Sequence, residues 1–232
     1  MKLIAGIGVK TVGVYVSNWQ DQANSNDAKQ SVEESRPIWA WSAINGRPAV
    51  DFFGADKHLD VADSADINTG GPYSAKTLIV VFKTGSDVTS RQVIWEQGGG
   101  SRGLNFYLDR GSLYINGWNT PQGEPQWGPT GLSAPVSAHT AYVATLVLNA
   151  GAGTFGGFVN GASIGSVQGV NQLYGHSDDC AIGHVEGATK FHDGATKGPA
   201  DFAGQIAEFY QYNRILPAAD RQTLETALMS QY

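Results

Sequence analysis

The chain has a single cysteine, Cys180, in 232 residues, so no internal disulfide can staple it. Charge is scarce as well: Asp, Glu, Lys and Arg together make 16% of the residues, against about a quarter in ordinary globular proteins. No run of basic residues occurs, and the formal net charge is −6. The clustered Lys and Arg that a nucleic-acid backbone demands are therefore missing, and no nucleic acid is expected as a partner. No stretch approaches the ~20 apolar residues of a membrane helix, so no membrane insertion is expected. Lys10 interrupts the short apolar run at the N-terminus, and no small-residue cleavage site follows, so this run reads as strand rather than signal peptide.

What the chain has instead is glycine, 30 residues of it, with 41% hydrophobic and 10% aromatic residues. The glycines follow no three-residue period, which excludes a collagen-like chain, and the apolar content excludes disorder. Short β-branched and aromatic runs separated by glycine point to an all-β protein. Ile4, Ile7, Val9 and Val12 to Val16 read as strand material. Further strands are expected at 49–53, 58–61, 93–96, 104–109, 113–118, 142–148, 154–159, 179–183 and 205–212. Thr77 to Lys83 (TLIVVFK) is continuous enough for a strand buried on both faces. Arg110-Gly111-Ser112 and Asn160-Gly161 read as hairpin turns. The glycine-free run after Pro217 is rich in helix formers, with Leu224, Ala227 and Leu228 sharing one face. The fold expected is an antiparallel β-sandwich with a short C-terminal α-helix, in one domain spanning 1–232.

Catalytic signatures are sparse. The five histidines, His58, His139, His176, His184 and His192, show no metal-ligand spacing, and neither a nucleophile elbow nor a lysine-bearing phosphate loop occurs. Gly98 to Gly103 resembles a phosphate loop only in composition and reads as a turn between strands. No strand carries the paired acids of a glycoside hydrolase, and Glu96 and Glu208 each stand alone.

Two groups remain. Alternation along 104–108 and 113–118 puts Asn105, Tyr107, Tyr114, Asn116 and Trp118 on the sheet face away from the core, with Arg102 and Trp127 in adjoining loops. Rings, amides and a guanidinium together suit a glycan or a peptide. The same pattern also fits a face covered by a loop such as Asn119 to Leu132. The second group is acidic: Asp51, Asp56, Asp60, Asp63 and Asp66, and further on Asp178, Asp179, Glu186, Asp193 and Asp201. Such carboxylates can hold Ca²⁺, which takes oxygen ligands, or can be solvated loop acids. Asp51, Asp56 and Asp60 are the Ca²⁺ candidates.

Ser17-Asn18-Trp19-Gln20-Asp21-Gln22 and Asn26-Asp27-Ala28, followed by Arg36-Pro37, Asn45 to Val50 and Phe53 to Asp56, resemble the opening of bacterial laminin-G-like domains. These domains belong to the concanavalin A-like lectin/glucanase superfamily. Phe202 to Phe209 and Tyr212 to Leu216 resemble that family's last strand and its lead into the terminal helix. The resemblance runs from about Val14 to Tyr232. It implies a concanavalin A-like jelly roll and a non-catalytic recognition module, sometimes with Ca²⁺, built beside flanking domains into a larger exported bacterial surface or adhesin-type protein. The glucanase acidic strand motif is missing, and little of the strand that usually precedes the tryptophan signature is present. Two other readings stay open: a structural or assembly domain of a virion or scaffold, and a glycoside hydrolase or lyase.

Overall fold

The computed structural model describes residues 1–177, 180–196 and 200–232. Its strands are β1 (Lys2–Ile4), β2 (Val9–Val12), β3 (Tyr15–Trp19), β4 (Ala28–Lys29), β5 (Ile38–Ile44), β6 (Arg47–Asp51), β7 (Leu59–Val61), β8 (Ala75–Thr84), β9 (Gln92–Gly98), β10 (Arg102–Asp109), β11 (Ser112–Asn119), β12 (Leu132–Pro135), β13 (Ala141–Asn149), β14 (Thr154–Val159), β15 (Ala162–Gln168), β16 (Cys180–Ile182) and β17 (Gly204–Tyr212). Among the described residues one α-helix, α1 (Ala218–Gln231), follows the last strand, and a 3₁₀ turn spans Glu33–Ser35.

Two antiparallel layers enclose the core. One runs β15-β14-β13-β8-β17, and β17 then pairs with β1 and β6. The other runs β12-β11-β10-β9-β16-β7-β4-β3-β2. A bridge between Tyr15 and Ile38, with the β5–β6 pair, joins the layers. This is the jelly-roll sandwich that the glycine-punctuated strand pattern and the family resemblance lead one to expect.

Alternation decides what each layer buries. On β8, Leu78, Val80 and Phe82 enter the main core, while Ile79 and Val81 point the other way and pack with Leu228 and Tyr232 of the C-terminal segment. The TLIVVFK run is thus buried on both faces, by the opposite sheet and by α1. The Asn160-Gly161 turn has positive φ at both residues, 48° and 75°, as a two-residue hairpin requires. The turn at 99–101 joins two paired strands, β9 and β10, which settles the glycine run there as a hairpin connection.

The helix docks differently from expectation. Ala227 is exposed, and the inner stripe is Arg221, Glu225 and Leu228, with Leu224 half-buried. Arg221 and Glu225 form a buried ion pair at 2.6 Å, and the Thr145 hydroxyl donates to Glu225 at 2.6 Å. The Arg221 guanidinium also lies 3.6 Å from the Phe158 ring centre. The sheet face under α1 carries Thr145 among its apolar residues, and the helix supplies the charge pair that this hydroxyl needs.

A second buried cation sits at the start of β8. The Lys76 ammonium donates to the Ile67 carbonyl (2.7 Å) and Asn213 Oδ1 (2.9 Å) and lies 3.9 Å from the Tyr73 ring centre. Burial lowers its pKa from 10.5 to about 7, against the opposing pull of Cys180 and Asp66. Between those values the unfolded chain binds a proton that folded Lys76 does not, so stability rises with pH from about 7 upward. Above pH 10 the buried tyrosines Tyr107, Tyr210 and Tyr232, all raised chiefly by desolvation, act in the opposite sense. Urea melts between pH 7 and 9.5 are expected to show stability rising in the native chain, with the slope much reduced in Lys76→Met. Parallel curves for the two proteins would contradict this assignment.

Candidate functional site

The strand register of the second layer generates one row of side chains on its outer face. It runs Asn116, Asn105, Glu96, Ala181, Asp60, Lys29, Asn18 and Lys10, each opposite the next on a neighbouring strand. Burial falls along it. Asn116, Asn105, Glu96 and Ala181 are buried, Asp60 and Asn18 are half-buried, and Lys29 and Lys10 are exposed. One sheet face is therefore divided into a covered half and an open half.

The covered half contains the predicted ligand-binding residues. Asn105, Tyr107, Tyr114 and Asn116 stand at the strand positions and on the face expected, but the segment Val185–Thr196 lies over them, and Arg102, expected in a loop, belongs to β10. Asn105 Nδ2 donates to Thr189 Oγ1 (2.9 Å) and the Lys190 carbonyl (3.1 Å), and Asn116 Nδ2 donates to that same carbonyl (2.9 Å). The Tyr107 hydroxyl accepts from the His192 backbone N–H at 2.8 Å and lies 2.7 Å from His192 Nδ1. Tyr107 stacks on Tyr114 at 5.0 Å, Tyr114 stacks on His192 at 4.0 Å, and Phe191 meets Tyr107 edge-on. Arg91 secures the outside of the cover, bonding Asp109 (2.6 Å) and Asp193 (2.8 Å) and lying over the Phe191 ring.

The remaining predicted residues are likewise engaged with the chain itself. Trp118 is fully buried, and its indole N–H donates to the Gly99 carbonyl at 3.0 Å. A Cβ at Gly103 would lie 2.6 Å from that ring, so glycine is needed there for the ring to fit. Trp127 is buried against Phe155 and donates to the Gln172 carbonyl (3.0 Å). Arg102 pairs with Glu124 through two guanidinium nitrogens, one at 2.9 Å, and this hydrogen-bonded pairing is the main reason the Glu124 carboxyl titrates low. The amides, rings and guanidinium expected to meet a ligand thus grip the protein's own loops, because a buried polar face must be hydrogen-bonded by something. Trp118→Ala is expected to cost about 3–5 kcal/mol in a denaturant titration, the usual loss for a large buried aromatic. A loss within the range of a surface substitution would show that the cover is open in solution.

The open half carries a cleft of about 450 Å³ lined by Ser25, Asn26, Asp27, Lys29, Ser31, Asp60, Ala62, Asp63 and Ser64. Its walls come from the motif 17–28 and from the turn after β7. Trp19 anchors the motif in the core, while Asn18 Nδ2 donates to Asp27 Oδ2 (3.1 Å). The Asp27 Oδ1 accepts the Asp21 N–H (3.0 Å). Burial works to raise the Asp21 pKa, but backbone N–H groups of Ala23, Lys2 and Asn26 and the terminal ammonium outweigh it and hold the carboxylate ionised. Ser64 donates to Asn26 Oδ1 at 2.7 Å, and Asn68 donates to Asp63. The cleft is polar and preorganised, with three carboxylates against one ammonium. Of this lining the sequence singles out Asp60 as a Ca²⁺ candidate, Asp63 as part of the same acidic stretch, and Asn26 and Asp27 within the family resemblance.

Asp51, Asp56 and Asp60 do not form a group of converging ligand atoms among the described residues. Asp51 accepts from Gln205 (2.9 Å) at a separate pocket with Phe53, Lys83 and His139. Asp56 and Asp60 instead flank His58, at 3.7 and 3.6 Å. Of the later acidic group, Asp193 pairs with Arg91, Asp201 meets His184 Nδ1 at 2.6 Å, and Asp178 and Asp179 lie outside the described residues. Glu96 is buried and accepts the Glu186 N–H at 3.2 Å, and both Glu208 oxygens accept from the hydroxyls of Tyr210 and Tyr232.

No family model matches the sequence, and no curated protein does. Solved structures do match in fold. The binding domain of botulinum neurotoxin serotype G is 10% identical, covering 99% of this chain and 51% of that one with a TM-score of 0.64. The binding domain of Paraclostridial Mosquitocidal Protein 1 is 10% identical, covering 94% and 51%, also at 0.64. The Ruminococcus gnavus IT-sialidase CBM40, solved with α2,3-sialyllactose, is 14% identical, covering 75% and 98% at 0.50. The chain spans about half the length of the two toxin domains. The fold shared with these structures is the jelly-roll β-sandwich.

Proposed function

We propose that the chain is a non-catalytic glycan-binding module that takes its ligand in the open polar cleft. The observation that carries this reading is the division of the sheet face. The aromatic half is filled by the protein's own segment, and the accessible half offers amides, hydroxyls and carboxylates at fixed positions, the groups that exchange hydrogen bonds with sugar hydroxyls. The fold is shared with a CBM40 solved with sialyllactose and with the binding domain of botulinum neurotoxin DC solved with SialylT, which supports a glycan as the ligand class. Charge narrows it. Asp27, Asp60 and Asp63 outnumber Lys29, so the cleft repels an anionic sugar and favours a neutral one. The setting that goes with this reading is an exported bacterial surface or adhesin-type protein.

On an array of neutral and sialylated glycans, binding is expected to be confined to neutral ones. Lys29→Ala and Asp60→Asn should each weaken it by about tenfold, the equivalent of one good polar contact. Equal affinity of these variants and the native chain would remove the cleft from the reading. Binding restricted to sialylated glycans would overturn the charge argument.

A second reading, a docking element in a larger assembly, rests on a different surface. Val12, Val14 and Tyr15 are exposed at the β2–β3 hairpin, and among the described residues β2 pairs only with β3. An edge strand with exposed apolar side chains can pair with another chain. A defined oligomer in light scattering, lost in Val12→Lys, would favour it, and a monomer at all concentrations would count against self-assembly.

A further inference from the structure

The loop after β6 and the segment after β16 bring two histidines together at one end of the sandwich. One donor atom each from Asp56, His58 and His184 lies within 4.8 Å of the others, and this is the only such three-residue group among the described residues. The two imidazoles stack, with centres 4.9 Å apart and planes 29° from parallel. Nothing in the sequence spacing shows this: His58 and His184 are far apart in the chain and meet because β7 and β16 pair.

We infer that this group is a site for a divalent transition metal of the zinc class, with His58 and His184 as nitrogen ligands and Asp56 as the carboxylate ligand. The hydrogen bonding around the rings is that of metal-binding histidines. His184 Nδ1 lies 2.6 Å from Asp201 Oδ1, and His58 Nδ1 lies 3.0 Å from the Asp56 carbonyl oxygen. His58 lies between two carboxylates, its Nδ1 3.7 Å from Asp56 Oδ1 and its Nε2 3.6 Å from Asp60 Oδ1. At His184 the Asp201 oxygen beside Nδ1 assigns the proton there and leaves Nε2 as the lone-pair nitrogen, while fixing the ring's orientation. Asp201 does this for more than one ligand, since its other oxygen accepts the Asp56 N–H at 3.1 Å. Residues Ala55 and Asp56 sit at positive φ, 28° and 63°, so the loop that aims the Asp56 side chain is held in a conformation such residues rarely adopt.

The donor set selects the ion. Two imidazoles and a carboxylate match zinc and its neighbours, whereas calcium takes a shell of six to eight oxygens. Asp56 and Asp201 supply two negative charges against the dication, and three protein ligands leave a coordination position open. Such an ion would tie the β6–β7 loop to the chain that leads from β16 into the cover segment, clamping one end of the cover. This inference does not depend on glycan binding, because none of its three ligands lines the polar cleft.

The test is calorimetric titration of tag-free protein with Zn²⁺ and with Ca²⁺, alongside Co²⁺ absorption spectroscopy. One equivalent of Zn²⁺ is expected to bind and to raise Tm, and Co²⁺ is expected to develop visible d–d bands that Zn²⁺ abolishes. His58→Ala and His184→Ala should each abolish the stoichiometric Zn²⁺ site, and Asp201→Asn should weaken it about tenfold or more, as loss of an outer partner of a metal-bound histidine does. Asp56→Asn, a change at an exposed side chain, keeps the test open if a histidine variant fails to fold, and it should weaken Zn²⁺ as well. Lys29→Ala, in the glycan cleft, should bind Zn²⁺ normally. Absence of Zn²⁺ binding, its persistence in folded His58→Ala and His184→Ala proteins, or displacement of Zn²⁺ by equimolar Ca²⁺ would overturn the assignment.

Discussion

The Lys190 carbonyl, shared by the amides of Asn105 and Asn116, is the contact on which the arrangement of this molecule turns. Two carboxamides in adjacent strands cannot be buried on a sheet face without acceptors. The backbone of Val185–Thr196 provides them, and Thr189, Phe191 and His192 complete the fit over Tyr107 and Tyr114. The segment is neither strand nor helix, so side chains hold it rather than a hydrogen-bonded ladder. Once it is in place, the outer face of that layer has a covered half and an open half.

The other sheet solves the same problem with a helix. Its outer face carries Ile79, Val81 and Val143, which Leu228 and Tyr232 cover, and Thr145, which Glu225 satisfies. Each sheet therefore has a mixed polar and apolar outer face with a dedicated cover. The cleft beside β4 and β7 and the histidine pair at the loop end lie outside both covers. Both lie on or beside β7, a three-residue strand paired to β16 on one side and β4 on the other.

Much of this was legible in the sequence. The TLIVVFK run, the Arg110-Gly111 hairpin, the Asn160-Gly161 turn and the terminal helix each depend on local pattern, and each stands where the pattern puts it. Alternation along β10 and β11 also assigned the right side chains to the right face. What alternation cannot show is whether that face meets water. The cover comes from residues about 80 positions downstream, in a stretch without hydrophobic period, so Asn105 and Trp118 looked the same whether solvent or Lys190 lay above them. The histidine pair was hidden for the same reason, since its members meet through the long-range pairing of β7 with β16. The helix was misread in detail because its buried stripe includes an ion pair, which a search for apolar spacing passes over.

The central claim is that the aromatic face of β10 and β11 is interior and that the accessible surface lies elsewhere. Hydroxyl-radical footprinting of the native protein tests it side chain by side chain. Trp41, 73% exposed, should be oxidised rapidly, and Trp118 and Tyr107, fully buried, should be protected until the chain unfolds. Oxidation of Trp118 and Tyr107 at rates comparable to Trp41 under native conditions would show that the cover does not close, and would return the aromatic face to the list of binding surfaces.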